Sequence, residues 1–174
     1  FTNRYSFIES FEKIKKKIIY CEKNSFGEKF CKIKKIKYKT YFSKRNFLNI
    51  LKKNLDSKVF TNGCKYLIPT DLLKKFKFTP VNIHPSLLPN YKGQFVIDKI
   101  FYNKEKKIGA SIHEIDSKVD NGKIIHQKIF INDEKSLIIN LYHKLFRIEK
   151  IVFDEYFFLN KKNNLKIKKK KILS

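Results

Sequence analysis

The chain has 174 residues, enough for one domain with a real core and too few for two ordinary ones. Hydrophobic residues at 42% and aromatics at 15% exclude the depleted composition of a disordered chain. Forty basic against sixteen acidic residues give a formal charge of +24, while no apolar run approaches bilayer-spanning length and no signal-peptide pattern is present.

Taken in chain order, Ser6 to Lys17 carries Phe7, Ile8, Phe11 and Ile14 at the spacing of a surface helix, and Phe1 reads as lying inside its start. Ile18 to Cys21 is a short apolar strand. A polar break at Asn24 to Gly27 precedes a helix from Glu28 to about Lys35, and Ile36 to Tyr41 reads as a further strand. Ser43 caps a helix through Lys53 that sets Phe47, Leu48 and Leu51 on one face. Lys58 to Thr61 is a strand broken by Asn62-Gly63. Leu72 to Phe76 is a short helix started at Pro69-Thr70-Asp71, and Pro80 stops it before a strand at Val81 to Ile83. Phe95 to Tyr102 reads as helix, Gly109 to Glu114 and Lys123 to Ile131 as consecutive strands, and Ser136 to about Leu159 as a long amphipathic helix. Strand and helix alternate over the first eighty residues, which predicts an α/β fold with a mostly parallel sheet; the two consecutive strands predict an antiparallel edge.

Lysine supplies 37 of the 40 basic residues, with only Arg4, Arg45 and Arg147 as arginines, so the guanidinium fork suited to bidentate phosphate or base contacts is nearly absent. A nucleic-acid partner is therefore possible on charge but not favoured over a solvated lysine surface. Residues 161–174 hold seven lysines and no acid and read as a basic tail, distinct from a domain over 1–160. Cys21, Cys31 and Cys64 are odd in number and lack C-x-x-C spacing, which predicts reduced thiols in a cytoplasmic protein and no metal site. The chain has no methionine, which predicts a processed or absent upstream piece.

In an open parallel sheet, ligands gather beyond the carboxyl ends of strands, and so past Val81-Asn82-Ile83. Asn82 and His84 are two apart at that strand end, leave on the same face and are able to converge; Pro85 and Pro89 stiffen the adjoining loop. Asp120, in Val119-Asp120-Asn121-Gly122, is a third polar group that stands out, although a plain turn explains that stretch as well.

Asn82 to Gly93, reading NIHPSLLPNYKG, and Gly109 to Gln127, reading GASIHEIDSKVDNGKIIHQ, together resemble the core signature of the folate-dependent formyltransferases. That group includes glycinamide ribonucleotide formyltransferase, the catalytic domain of methionyl-tRNA formyltransferase and the sugar N-formyltransferases. The resemblance implies a Rossmann-like three-layer domain and formyl transfer from 10-formyltetrahydrofolate, as co-substrate, to the primary amine of a small acceptor. It makes Asn82, His84 and Asp120 the catalytic Asn, His and Asp, with an imidazolium at His84 joining Asn82 as donor to the oxyanion. It gives His113 a supporting role behind the Asp120 loop. Tyr66, Leu67 and Ile68 match the wall of the folate pocket, and Gly122 is assigned to the same site through a positive φ or a close backbone approach. Against the family pattern, the first strand is expected to be missing, with Asn3 and Ser6 as relics of the loop after it. The acceptor, an amino-sugar nucleotide or glycinamide ribonucleotide, and the oligomeric state stay open. A catalytically inactive or fragmentary relative, or a lysine-driven RNA- or membrane-surface-binding protein, is the alternative.

Overall fold

Two serines set the early helices. The Ser25 hydroxyl accepts from the Glu28 amide (3.2 Å) at the start of α2 (Phe26–Ile33), and Ser43 accepts from Asn46 (3.1 Å) at the start of α3 (Lys44–Lys52). The structure is a computed structural model that describes residues 1–132 and 137–172, with the side chains of 6, 7 and 158–172 outside that description. The side chains of Ser6 and Phe7, the expected start of the last helix at Ser136, and the side chains of the whole lysine run thus lie outside the described residues.

The remaining elements are α1 (Tyr5–Glu12), β1 (Tyr20–Glu22), β2 (Lys39–Tyr41), β3 (Phe60–Asn62), α4 (Thr70–Leu73), β4 (Val81–His84), α5 (Val96–Tyr102), β5 (Lys107–Glu114), β6 (Ile124–Ile131) and α6 (Ile138–Ile172). Strands β1 and β2 pair in parallel, as do β3 and β4, whereas β5 and β6 return antiparallel. This is a Rossmann-like α/β arrangement with parallel strands in its first part and an antiparallel edge at β4–β5–β6.

Phe1 corrects the sequence reading, because it is extended rather than helical. Thr2 donates to the Tyr20 carbonyl (2.9 Å), Asn62 donates to that of Phe1 (3.0 Å), and Asn3 donates to that of Asn62 (3.1 Å). Residues 1–3 therefore stand as a short strand end between β1 and β3 and join the two sheets, with Thr2 bridged in parallel to Asn62. Asn3 braces the junction: its amide donates to Glu22 and to the Gly63 carbonyl (each 3.1 Å), and its Oδ1 accepts from the Glu22 amide (3.1 Å). Asn62, expected as a break, completes β3, and the left-handed residue is Gly63 (φ 64°).

Val59 and Phe60 are successive and point to opposite faces. Phe60 joins Val81, Ile83, Ile112, Leu145 and Val152 beneath α5 and α6, while Val59 joins Tyr41, Phe47, Leu51 and Leu72 beneath α3 and α4. Helix α6 continues past Leu159 to Ile172, since no Gly or Pro interrupts it and lysine is a good helix former.

Candidate active site

Strand register does most of the assembly. Thr61 on β3 lies opposite Asn82 on β4, and Asn82 lies opposite His113 on β5, so three polar side chains stand in a row on one face beyond the parallel pair. His84, two residues after Asn82, leaves on that same face at the end of β4.

Asp120 reaches them from the β5–β6 connection. Its φ of 47° is left-handed, a conformation aspartate tolerates better than most side chains. One carboxylate oxygen lies 3.3 Å from His113 Nε2 and 3.4 Å from Asn82 Nδ2; the other lies 3.3 Å from His84 Nδ1 and accepts from the Gly93 amide at 2.9 Å. The four groups singled out in the sequence, Asn82, His84, His113 and Asp120, thus meet around one carboxylate.

The connections are held from behind. His84 Nε2 donates to the Tyr91 carbonyl (2.7 Å), since a carbonyl only accepts, and the same reasoning puts a proton on His113 Nδ1, which faces the Glu114 carbonyl at 2.8 Å. The Tyr91 phenol is tied to Glu105 and accepts from Asn103 (2.8 Å). Ser111, fully buried, accepts from the Leu88 amide (3.1 Å) and donates to the Ser86 carbonyl (2.6 Å), pinning the segment after His84 to β5.

Burial alone raises the Asp120 carboxyl, but the bond from His113 and the Gly93 amide oppose it, and the group ends below its ordinary value. Burial is also the largest influence on His84. It disfavours the cation, the Asp120 charge opposes it only in part, and the imidazole ends below its usual value. The imidazolium expected from the sequence is therefore disfavoured.

A cleft of about 560 Å³ opens over this cluster, within the ~300–1,000 Å³ range of small-molecule sites. Asn82, His84, His113 and Asp120 line it, together with Tyr66, Leu67 and Ile68. Ile68 is buried and Leu67 is 54% exposed. The Tyr66 ring packs 5.7 Å from Phe47 while its hydroxyl donates to Glu22 (3.4 Å). Gly122 is not among the lining residues and does not have positive φ; it lies against β5, where a Cβ would collide with the Glu114 carbonyl. Its part is to let the Asp120 loop close on the strand. Among the described residues no group of His, Cys, Asp or Glu is placed to hold a metal ion, and no helix is long and apolar enough to cross a membrane.

Sequence reasoning missed Thr61, Gly93 and Arg4. Thr61 donates to Asn82 Oδ1 (2.8 Å); Arg4 lines the cleft and pairs with the buried Glu149, which also accepts from Asn62 (3.1 Å). Gly93 closes the quoted motif and was the one with a visible signal.

Residues 11–155 match the family model described as Formyl transferase. The chain is 32% identical over 100 residues to the bifunctional polymyxin resistance protein ArnA of Wigglesworthia glossinidia brevipalpis, covering 58% of this chain and 15% of that protein. It is 34% identical over 91 residues to GDP-perosamine N-formyltransferase of Brucella melitensis, covering 49% and 35%. With the methionyl-tRNA formyltransferase of Lactobacillus gasseri it shares 38% over 87 residues, covering 50% and 28%. The chain therefore matches about a third or less of the length of these curated relatives. Among solved structures, the phosphoribosylglycinamide formyltransferase of Bacillus halodurans superposes with TM-score 0.69 at 25% identity, covering 87% of this chain and 86% of that one. The Streptococcus pneumoniae enzyme of the same name superposes at 0.74 and 19%, covering 88% and 91%, a likeness of fold.

Proposed function

Because the chain belongs to the formyl transferase family, we propose that it moves a formyl group from 10-formyltetrahydrofolate to the primary amine of a small acceptor, an amino-sugar nucleotide or glycinamide ribonucleotide. The observation that carries this reading is the convergence of Asn82, His84 and His113 on the two oxygens of Asp120 inside one cleft. The apolar wall from Tyr66 to Ile68 suits a flat heterocycle, and the Arg4 guanidinium suits a phosphate on the acceptor.

Each residue then has a task set by its surroundings. As the amine nitrogen bonds to the formyl carbon, negative charge grows on the carbonyl oxygen, and Asn82 Nδ2 donates to it; loss of such a donor commonly costs about 3 kcal/mol of transition-state stabilisation. Asp120, kept ionised, takes the proton the amine releases, directly or through water. That proton is shared with His84 Nδ1, 3.3 Å away, giving an imidazolium whose two N–H groups face Asp120 and the Tyr91 carbonyl. His84 supports the oxyanion by its charge rather than by a direct bond, since both ring nitrogens are directed at protein oxygens. When the bond from carbon to N10 breaks, the proton passes from the Asp120–His84 pair to N10.

The test is incubation of the chain with 10-formyltetrahydrofolate and a panel of amino-sugar nucleotides, glycinamide ribonucleotide and methionyl-tRNA, with His84→Ala as control. Formylation of one small amine, lowered at least about 100-fold by the substitution, is the expected result. Formylation of methionyl-tRNA alone, or transfer unaffected by the substitution, contradicts the reading.

A further inference from the structure

Asn82 is useful as an oxyanion donor only if its amide nitrogen, not its oxygen, faces the cleft. The group on the cleft side that asks for that orientation is Asp120, whose ionised carboxylate accepts only and lies 3.4 Å from Asn82 Nδ2; His113 Nε2 lies 3.2 Å from the same nitrogen. On the far side the Thr61 hydroxyl donates to Asn82 Oδ1 at 2.8 Å, the shortest of the three contacts. The β3–β4–β5 register that aligns Thr61, Asn82 and His113 holds the amide at both ends.

We propose that Thr61 is a positioning residue of the formyl-transfer site, its hydroxyl fixing the Asn82 amide with the nitrogen toward the reacting carbonyl. This rests on the functional reading above and adds to it a residue outside the signature segments. As strand formers, Thr and Val are near equivalents, and Thr61 is 4% exposed, so the fold asks only for a β-branched side chain there. The hydroxyl is what the neighbouring amide needs. Without it, Asn82 Oδ1 loses its donor and the amide samples other rotations.

Thr61→Val and Thr61→Ser separate the roles. The expected result is a fall in kcat of about tenfold for Thr61→Val, the scale of one lost hydrogen bond, with KM for 10-formyltetrahydrofolate unchanged and most of kcat restored by Thr61→Ser. In the protein without substrate, the Asn82 side-chain NH₂ signals in NMR should be dispersed and slow to exchange in wild type and Thr61→Ser, and collapse toward free-amide values in Thr61→Val. An unchanged kcat and unchanged Asn82 signals in Thr61→Val overturn the proposal. So does an equal loss in both variants accompanied by a lower melting temperature, the mark of packing alone. If wild type formylates no acceptor, the reaction assigned above fails, and the Asn82 signals alone decide the role of Thr61: collapse confined to Thr61→Val supports it, and no difference among the three proteins overturns it.

Discussion

Asp120 and His84 pull on each other's proton, and burial decides the outcome. Desolvation lowers His84 below its ordinary 6.5, and the Asp120 carboxylate recovers part of the loss. For the reaction proposed above, the free protein is therefore competent, Asp120 ionised and His84 neutral, on the alkaline side of a limb that lies below the ordinary histidine value. In Asp120→Asn the opposing charge is gone, so His84 titrates lower still and the limb moves to more acidic pH, while kcat falls by about 100-fold or more with the proton acceptor removed. The pH profile of kcat/KM and an NMR titration of His84 check this together; a limb that moves upward in Asp120→Asn contradicts it. Asn82 and His84 are legible as a pair because a strand's period of two puts them on one face. Asp120 is not legible from its own surroundings, where Asp, Asn and Gly read equally as a turn; only the likeness of the two segments to a family sets it beside His84.

At the level of elements, the chain's punctuation is readable wherever it is chemical. Ser43 caps α3 as its position before Phe47 and Leu51 predicts, and Pro80 precedes β4. Phe1 escapes a sequence reading because a strand end three residues long leaves no period to detect; it is extended only because the Tyr20 carbonyl and the Asn62 amide flank residues 1–3. Gly122 stands out in the right loop, with the sequence leaving two geometries open for it. The strained φ belongs to Asp120, and Gly122 gives the close approach to Glu114 that brings the loop down onto β5. Thr61 illustrates the general limit. Its partner is 21 residues away and adjacent only through parallel register, which depends on packing of both sheet faces rather than on local pattern.

Across the whole molecule, Glu149 on α6 ties the far end of the chain to its beginning, pairing with Arg4 and accepting from Asn62 while its second oxygen has no partner among the described residues. Burial raises its carboxyl to about 7, with Arg4 and Asn62 opposing but not cancelling the effect. The folded protein thus keeps a proton that the unfolded chain, with an ordinary value of 4.5, gives up. Between those values the folded state binds more protons, so this group's contribution to stability falls as pH rises from about 4.5 to 7, by about 3 kcal/mol across the window. Urea unfolding at both ends of that window should show the loss in wild type and its absence in Glu149→Gln; equal slopes in the two proteins contradict the assignment. The central claim remains that Asn82, His84 and Asp120 serve a single reacting carbon. Its most direct measurement is a crystal structure with a 10-formyltetrahydrofolate analogue that cannot release its one-carbon unit. The expected result is the analogue's carbonyl oxygen about 3 Å from Asn82 Nδ2, with Asp120 and His84 on the side open to an amine and the ring system against Tyr66 to Ile68. An analogue seated elsewhere, or one whose carbonyl stays out of reach of Asn82, contradicts it.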